Sequence, residues 1–289
     1  MLYRVADVDF RINFADKNSE DWDLIPSFNP FIITESESPT FDLTVLNQVD
    51  FVQKAEEIQE FDTGNAIIDV SRTVNTHQFI IHDFNRKLCS ILIADKDFKH
   101  CQCELHGSRN ECSYGLNNAL MLSYAFSACQ LGVLLIHASL VRYEGKGYAF
   151  IAKSGTGKST HTSLWLSNIP GCDLMNDDNP VVRIVDGQAT IYGSPWSGKT
   201  PCYRQVSAPL AAITLIQRDK ENRVEKMDHV SQFFQTLSSC SSMRWDHDTY
   251  TQICNNISAL MECTPYYVMH CLPNNEAAIV CHRTLTMQK

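Results

Sequence analysis

The sequence predicts an α/β (α+β) fold in two parts: a β-rich region over residues 1–112 and a second domain over 113–289. Three observations lead to this. Short segments rich in β-branched and aromatic residues, often alternating, fill the first part. A run over 115–131 keeps apolar residues at helical spacing. After it, strand-like runs alternate with helical patterns around one glycine-rich loop, as in a layered α/β domain.

Composition narrows the classes. With 289 residues, the chain suffices for one large domain or a small and a medium one. Hydrophobic residues at 44% and charged residues at 20% describe a globular protein. There is no apolar run of about 18 residues, so no membrane-spanning helix is expected. The N-terminal MLYRVADVDFRINF carries charges throughout and lacks a signal peptide's apolar core, so a cytoplasmic location is expected. A net charge of −9, with no basic run longer than two residues, argues against nucleic acid as partner. Twelve cysteines, none in a C-x-x-C pair, are expected to stay reduced. The cluster His100, Cys101, Cys103, His106 reads as a packed strand rather than a zinc site, since i, i+2 spacing chelates a tetrahedral ion poorly. The sequon Asn256-Ile257-Ser258 would go unused in a cytoplasmic chain.

In chain order, LYRVADVDFRINF, TFDLTVL, NAIIDVSRTV, HQFIIHDF and LCSILIADKDF read as strands. Turns are expected at Asp62-Thr63-Gly64-Asn65 and Asn85-Arg86-Lys87, and a short helix at VQKAEEIQ. The 115–131 segment reads as a helix buried on most sides that links the two parts, with Leu116, Ala119, Leu120, Tyr124 and Ala128 at helical spacing. Then VLLIHASLVRYEGKGYAFIAKS gives two strands about a Glu144-Gly145-Lys146-Gly147 hairpin. STHTSLWLSNI reads as a helix ending before Pro170-Gly171. Next, DLMNDDNPVVRIVDGQATIYGSPW gives a strand, a turn and a hairpin about Asp186-Gly187, and APLAAITLIQRDKENRVEKM gives two strands around a polar turn. Helices at SQFFQTLSSCSSM and DTYTQICNNISAL, a strand at PYYVMHCL and a last helix capped by Asn274 or Asn275 complete the chain.

The chemistry centres on FIAKSGTGKSTH. The phosphate-loop pattern is G-x-x-x-x-G-K-[ST]. Here Ala152 takes the first position, while Gly157, Lys158 and Ser159 are in place. Strand, glycine loop and helix follow in the order such a loop requires. Backbone N–H groups over 154–160 can line a nest at the helix start, where the helix dipole favours anions. Ser154, Gly155, Thr156, Gly157, Lys158, Ser159 and Thr160 are therefore the candidate nucleotide-binding residues, with Lys158 on the terminal phosphates and Ser159 on Mg²⁺. The competing reading is a glycine turn beside a coincidental lysine.

Two further stretches support it. In LMNDDNPVV, Asp177 and Asp178 end a strand nineteen residues after Lys158. Neighbours on an extended chain point opposite ways. One could hold Mg²⁺ and the other take a proton from an acceptor hydroxyl; a solvated turn is the alternative. In GSPWSGKTP, Lys199, with Arg204 nearby, could counter the charge on a transferring phosphoryl group, or the segment could be a surface loop anchored by Trp196. His229, His247, His270 and His282 are scattered and read as surface or core residues.

Taken together, LIHASLV, EGKG, AKSGTGKS, THTSLWL and LMNDD resemble the catalytic domain of HPr kinase/phosphorylase, in the phosphoenolpyruvate carboxykinase-like P-loop superfamily. The resemblance covers about residues 130–215. It implies a mixed-sheet P-loop domain with His137 near the phosphates, Asp177 as base and Asp178 as Mg²⁺ ligand, the order of the two aspartates being open. Ala152 replaces the first loop glycine, His161 stands where the family has an acidic residue, and the later glycine-rich signature is absent, so the chain reads as a relative of HPr kinase rather than HPr kinase itself.

The expectation is an Mg²⁺-dependent kinase, using ATP or pyrophosphate, that phosphorylates a hydroxyl of a small molecule or of a protein or peptide serine. Asp177, His137, Lys199 and Arg204 are its candidate catalytic residues. Alternatives are a carboxykinase-like enzyme acting on an oxoacid and a nucleotide sensor without turnover. A homo-oligomer is compatible with the sequence; a membrane partner is not expected.

Overall fold

The computed structural model describes residues 1–15, 21–62, 66–198 and 200–287. The chain divides into two compact units, Met1–Gln130 and Leu131–Lys289. Each carries a large mixed sheet, so the fold is mixed α/β with a β-rich N-terminal part. No helix among the described residues is long and apolar enough to cross a membrane.

In the first unit the strands are β1 (Leu2–Val5), β2 (Val8–Phe14), β3 (Ile32–Ile33), β4 (Phe41–Leu46), β5 (Glu56–Asp62), β6 (Ala66–Arg72), β7 (Thr76–Asp83), β8 (Leu88–Asp95) and β9 (His100–Leu105). Among the described residues they form one sheet in the order β3-β1-β2-β4-β9-β8-β7-β6-β5. It is parallel only at β2/β4 and β4/β9. The alternation read in the sequence becomes one buried face, where Phe10 stacks on Phe41 at 4.9 Å. Cys101 and Cys103 are buried, sharing one face of β9.

Helix α1 (Arg109–Ala128) packs on β7, β8 and β9. Its first turn is closed by a capping box, the Ser108 N–H donating to Glu111 at 2.5 Å. The Tyr124 hydroxyl donates to the Val5 carbonyl at 3.0 Å.

Two expectations change here. The boundary expected at 112/113 falls at 130/131, because the apolar face of α1 is buried on the first unit's sheet. The helix expected over 52–59 is absent; residues 56–62 pair with β6 instead, and Glu56 reaches Arg72 at 2.7 Å. Partner strands override a weak helical pattern. The expected turn at 62–65 falls on residues 63–65, outside the described set.

The second unit contains β10 (Val133–Leu135), β11 (Ala138–Tyr143), β12 (Lys146–Ile151), α2 (Lys158–Asn168), β13 (Asp173–Asp178), β14 (Val181–Val185), β15 (Gln188–Tyr192), β16 (Ser207–Arg218), β17 (Arg223–Lys226), α3 (His229–Ser239), α4 (His247–Cys263), β18 (Tyr266–Cys271) and α5 (Asn275–Thr286). The sheet runs β10-β14-β15-β16-β12-β11-β13, with β18 also beside β16 and β17 beyond it. Strand β16 is long enough to pair with β15 at its start and β18 at its end. The β12/β16 and β16/β18 pairs are parallel. The expected hairpin at Glu144-Gly145 forms with both residues at positive φ, 48° and 73°, the geometry that matches strand twist.

Helix α2 packs on β11, β12 and β13 and against α5. Its anchor is Trp165, fully buried beside Tyr148 and Phe150. Asn274 caps α5, its side chain accepting from the Ala277 N–H.

Candidate functional site

Strand β12 delivers the chain into the glycine loop, and the loop delivers it into α2. Gly155 and Gly157 have φ of +74° and +128°, backbone that side chains with a Cβ rarely adopt. A Cβ at Gly155 would meet nothing within 4 Å, so the turn is held by backbone geometry rather than by crowding. Ala152 is buried at the end of β12, where its methyl joins the hydrophobic core. The missing glycine is therefore a packed position. Gly157 caps α2 and Lys158 opens it, placing the helix's positive end at the loop.

Two short chains of contacts meet there. Lys158 Nζ lies 2.8 Å from His137 Nε2 and donates to the Ala152 carbonyl at 3.1 Å. His137 Nδ1 lies 3.0 Å from Asp178 Oδ1. The network assigns the tautomer: Nε2 accepts from the ammonium and Nδ1–H donates to the carboxylate. The second chain runs from the exposed Ser159 into the buried Asp177, Ser139 and Thr162. Ser159 Oγ donates to Asp177 Oδ1 at 3.0 Å, Ser139 Oγ donates to the same oxygen at 2.5 Å, and Thr162 Oγ1 donates to Ser139 Oγ at 2.7 Å. Asp177 is 5% exposed, whereas the side chain of Asp178 is 26% exposed. Burial pushes the Lys158 ammonium below its ordinary pKa, opposed by the Asp178 and Asp177 carboxylates.

The sheet register produces this arrangement. Strands β11 and β13 pair with Ser139 opposite Asp177 and Ala138 opposite Asp178. His137 precedes β11, and its N–H donates to the Ser239 carbonyl at 2.6 Å, tying it to the end of α3. The end of β13 is braced by the following loop. The Gly198 N–H donates to the Asp177 carbonyl at 2.6 Å, and a Cβ at Gly198 would stand 3.0 Å from that oxygen. Asn176 Nδ2 reaches the Ser194 Oγ and the Trp196 carbonyl, each at 3.2 Å.

The structure thus brings His137, Lys158, Ser159, Asp177 and Asp178 together at the loop. It does not bring Arg204 there. The Arg204 guanidinium binds Asp173, at the opposite end of β13, at 2.6 Å, and also reaches the Leu174 carbonyl. Arg142 grips the same carboxylate bidentately at 3.0 and 2.9 Å. Arg204 is therefore corrected from a phosphate counter-charge to part of a structural cluster. Lys199 lies outside the described residues. His161, buried at 2% exposure, accepts from Trp165 Nε1 at 3.2 Å and faces Phe150, so it belongs to the wall behind the loop.

No protein-family model and no curated protein matches the chain. One solved structure, described as the HPr(Ser) kinase/phosphatase from Coxiella burnetii, is similar at 12% identity, covering 54% of this chain and 99% of that one, with a TM-score of 0.31.

Ser159 Oγ and Asp177 Oδ1 stand side by side as hard oxygen donors, and a cation held there would have to take its remaining ligands from phosphate and water, as Mg²⁺ does; among the described residues no three His, Cys, Asp or Glu side chains are grouped to hold a metal ion by themselves. Three contributors escape a motif scan: Ser139, Thr162 and Arg218, whose guanidinium donates to the Gly155 and Thr156 carbonyls. Ser139 alternates with His137 along HAS, a signal visible only once β11 and β13 are known to pair. Arg218 carries no signal in the sequence at all.

Proposed function

We propose that the second unit binds a phosphate-chain donor, ATP or pyrophosphate, with Mg²⁺ and transfers a phosphoryl group to a hydroxyl acceptor, either a small molecule or a protein or peptide serine. The observation that carries the proposal is the meeting of Lys158–His137–Asp178 with Ser159–Asp177–Ser139 at a glycine loop on a helix N-terminus.

In this reading Lys158 turns from His137 to the terminal phosphates. Asp177 and Ser159 are the cation's ligands, because Asp177 is buried and already shares a hydrogen bond with Ser159. Bound Mg²⁺ would neutralise phosphate charge and orient the chain. Asp178, more exposed and oriented by His137 Nδ1–H, accepts the acceptor hydroxyl's proton. The acceptor oxygen then bonds to the terminal phosphorus as the bond to the bridging oxygen breaks, and the electron pair leaves with the shortened donor. These roles exchange Asp177 and Asp178 relative to the family resemblance.

The test combines calorimetric titration of Mg-ATP with phosphorus NMR of the protein incubated with separated small-molecule and protein fractions of a bacterial extract. Lys158→Ala should abolish donor binding. Asp178→Asn should bind within about twofold of wild type yet lose transfer by about 10²–10⁴-fold. Asp177→Asn should lose Mg²⁺-dependent binding. The reverse pattern would restore Asp177 as base, and donor binding with no new phosphoester in either fraction would point to a sensor.

A further inference from the structure

We infer that Arg218 is a positioning residue of the phosphate loop, holding two of its carbonyls outward so that the turn stays closed and the Gly157 N–H faces a phosphate chain. The inference rests on the phosphate-site reading above.

Strands β12 and β16 run parallel, with Ile151 opposite Leu215. Arg218 ends β16 three residues later, at the level where the chain beyond Ile151 turns through the loop. Its Nε donates to the Thr156 carbonyl at 3.0 Å and its Nη2 to the Gly155 carbonyl at 2.7 Å. In a planar trans peptide the carbonyl and the next N–H point opposite ways. The two bonds therefore set the directions of the Thr156 and Gly157 N–H groups. The Thr156 N–H closes the turn on the Lys153 carbonyl at 3.1 Å, and Gly157 caps α2, where an anion would be received.

The charge acts in the same direction. Loop carbonyls turned toward a phosphate would repel it. A guanidinium behind them removes that repulsion and polarises the peptides, strengthening their N–H groups as donors. The planar fork of arginine can bridge two adjacent carbonyls, whereas a lysine ammonium is a point charge without that geometry.

The experiment titrates magnesium pyrophosphate and Mg-ADP into the full chain as wild type, Arg218→Ala, Arg218→Lys and Lys158→Ala, and follows hydrogen exchange over residues 153–160 without ligand. Arg218→Ala and Arg218→Lys should each weaken both probes by about tenfold. Exchange over the loop should rise in both, and sub-denaturing guanidinium chloride should restore binding to Arg218→Ala where sodium chloride at equal ionic strength does not. Wild-type affinity in Arg218→Lys would reduce the role to charge alone and overturn the clamp. Wild-type affinity in Arg218→Ala, with binding lost in Lys158→Ala, would overturn this inference and leave the site reading standing. A wild-type protein that takes neither probe would remove both.

Discussion

His161 shows how one residue's surroundings set a measurable property. Its ring is enclosed by Phe150 and Trp165, and its Nδ1 finds no partner among the described residues. Burial lowers its pKa from 6.5 to about 4. The unfolded chain takes this proton near pH 6.5 and the folded chain only near 4, so the unfolded state binds more protons between them. Stability should fall as pH drops through that window, by about 3 kcal/mol in all. Urea midpoints measured from pH 7 to pH 4 should lose this part of their slope in His161→Gln, which keeps an acceptor for Trp165. An unchanged slope would place the pH dependence elsewhere.

Among the elements, α1 gives the sharpest test of packing against propensity. Gly115 lies inside this helix, where Gly→Ala ordinarily gains about 1 kcal/mol. Here a Cβ would sit 2.6 Å from the Cys89 carbonyl oxygen and 2.8 Å from Ser90 Cβ, and Ser90 Oγ donates to the Gly115 carbonyl at 3.1 Å. Gly115→Ala should therefore destabilise the first unit by about 1–3 kcal/mol, read as a lower denaturation midpoint. A gain would show that α1 can move away from β8. The same element explains the shifted boundary: its spacing identified a helix, but only the sheet it covers assigns it to the first unit.

For the whole molecule, two compact units predict a ligand effect confined to one of them. Mg-ADP at about 100 times its dissociation constant should stabilise the second unit by about 2.7 kcal/mol and leave the first unchanged. Calorimetry should show only one transition moving, and hydrogen exchange should slow only beyond residue 130. Protection within the first unit would show that the units are energetically coupled. What the sequence by itself determined was local. The turn at Glu144-Gly145, the loop with Gly155 and Gly157 at positive φ, and the helix opening at Lys158 depend on consecutive residues, whose backbone preferences act without the rest of the chain. Tertiary structure alone decided which distant groups face that loop. Sheet register put Ser139 opposite Asp177, parallel pairing brought Arg218 beneath the loop, and the carboxylate of Asp173 drew Arg204 away from it. Such contacts join residues far apart in the chain, and their partners are fixed only when strands pair and bury their apolar faces together.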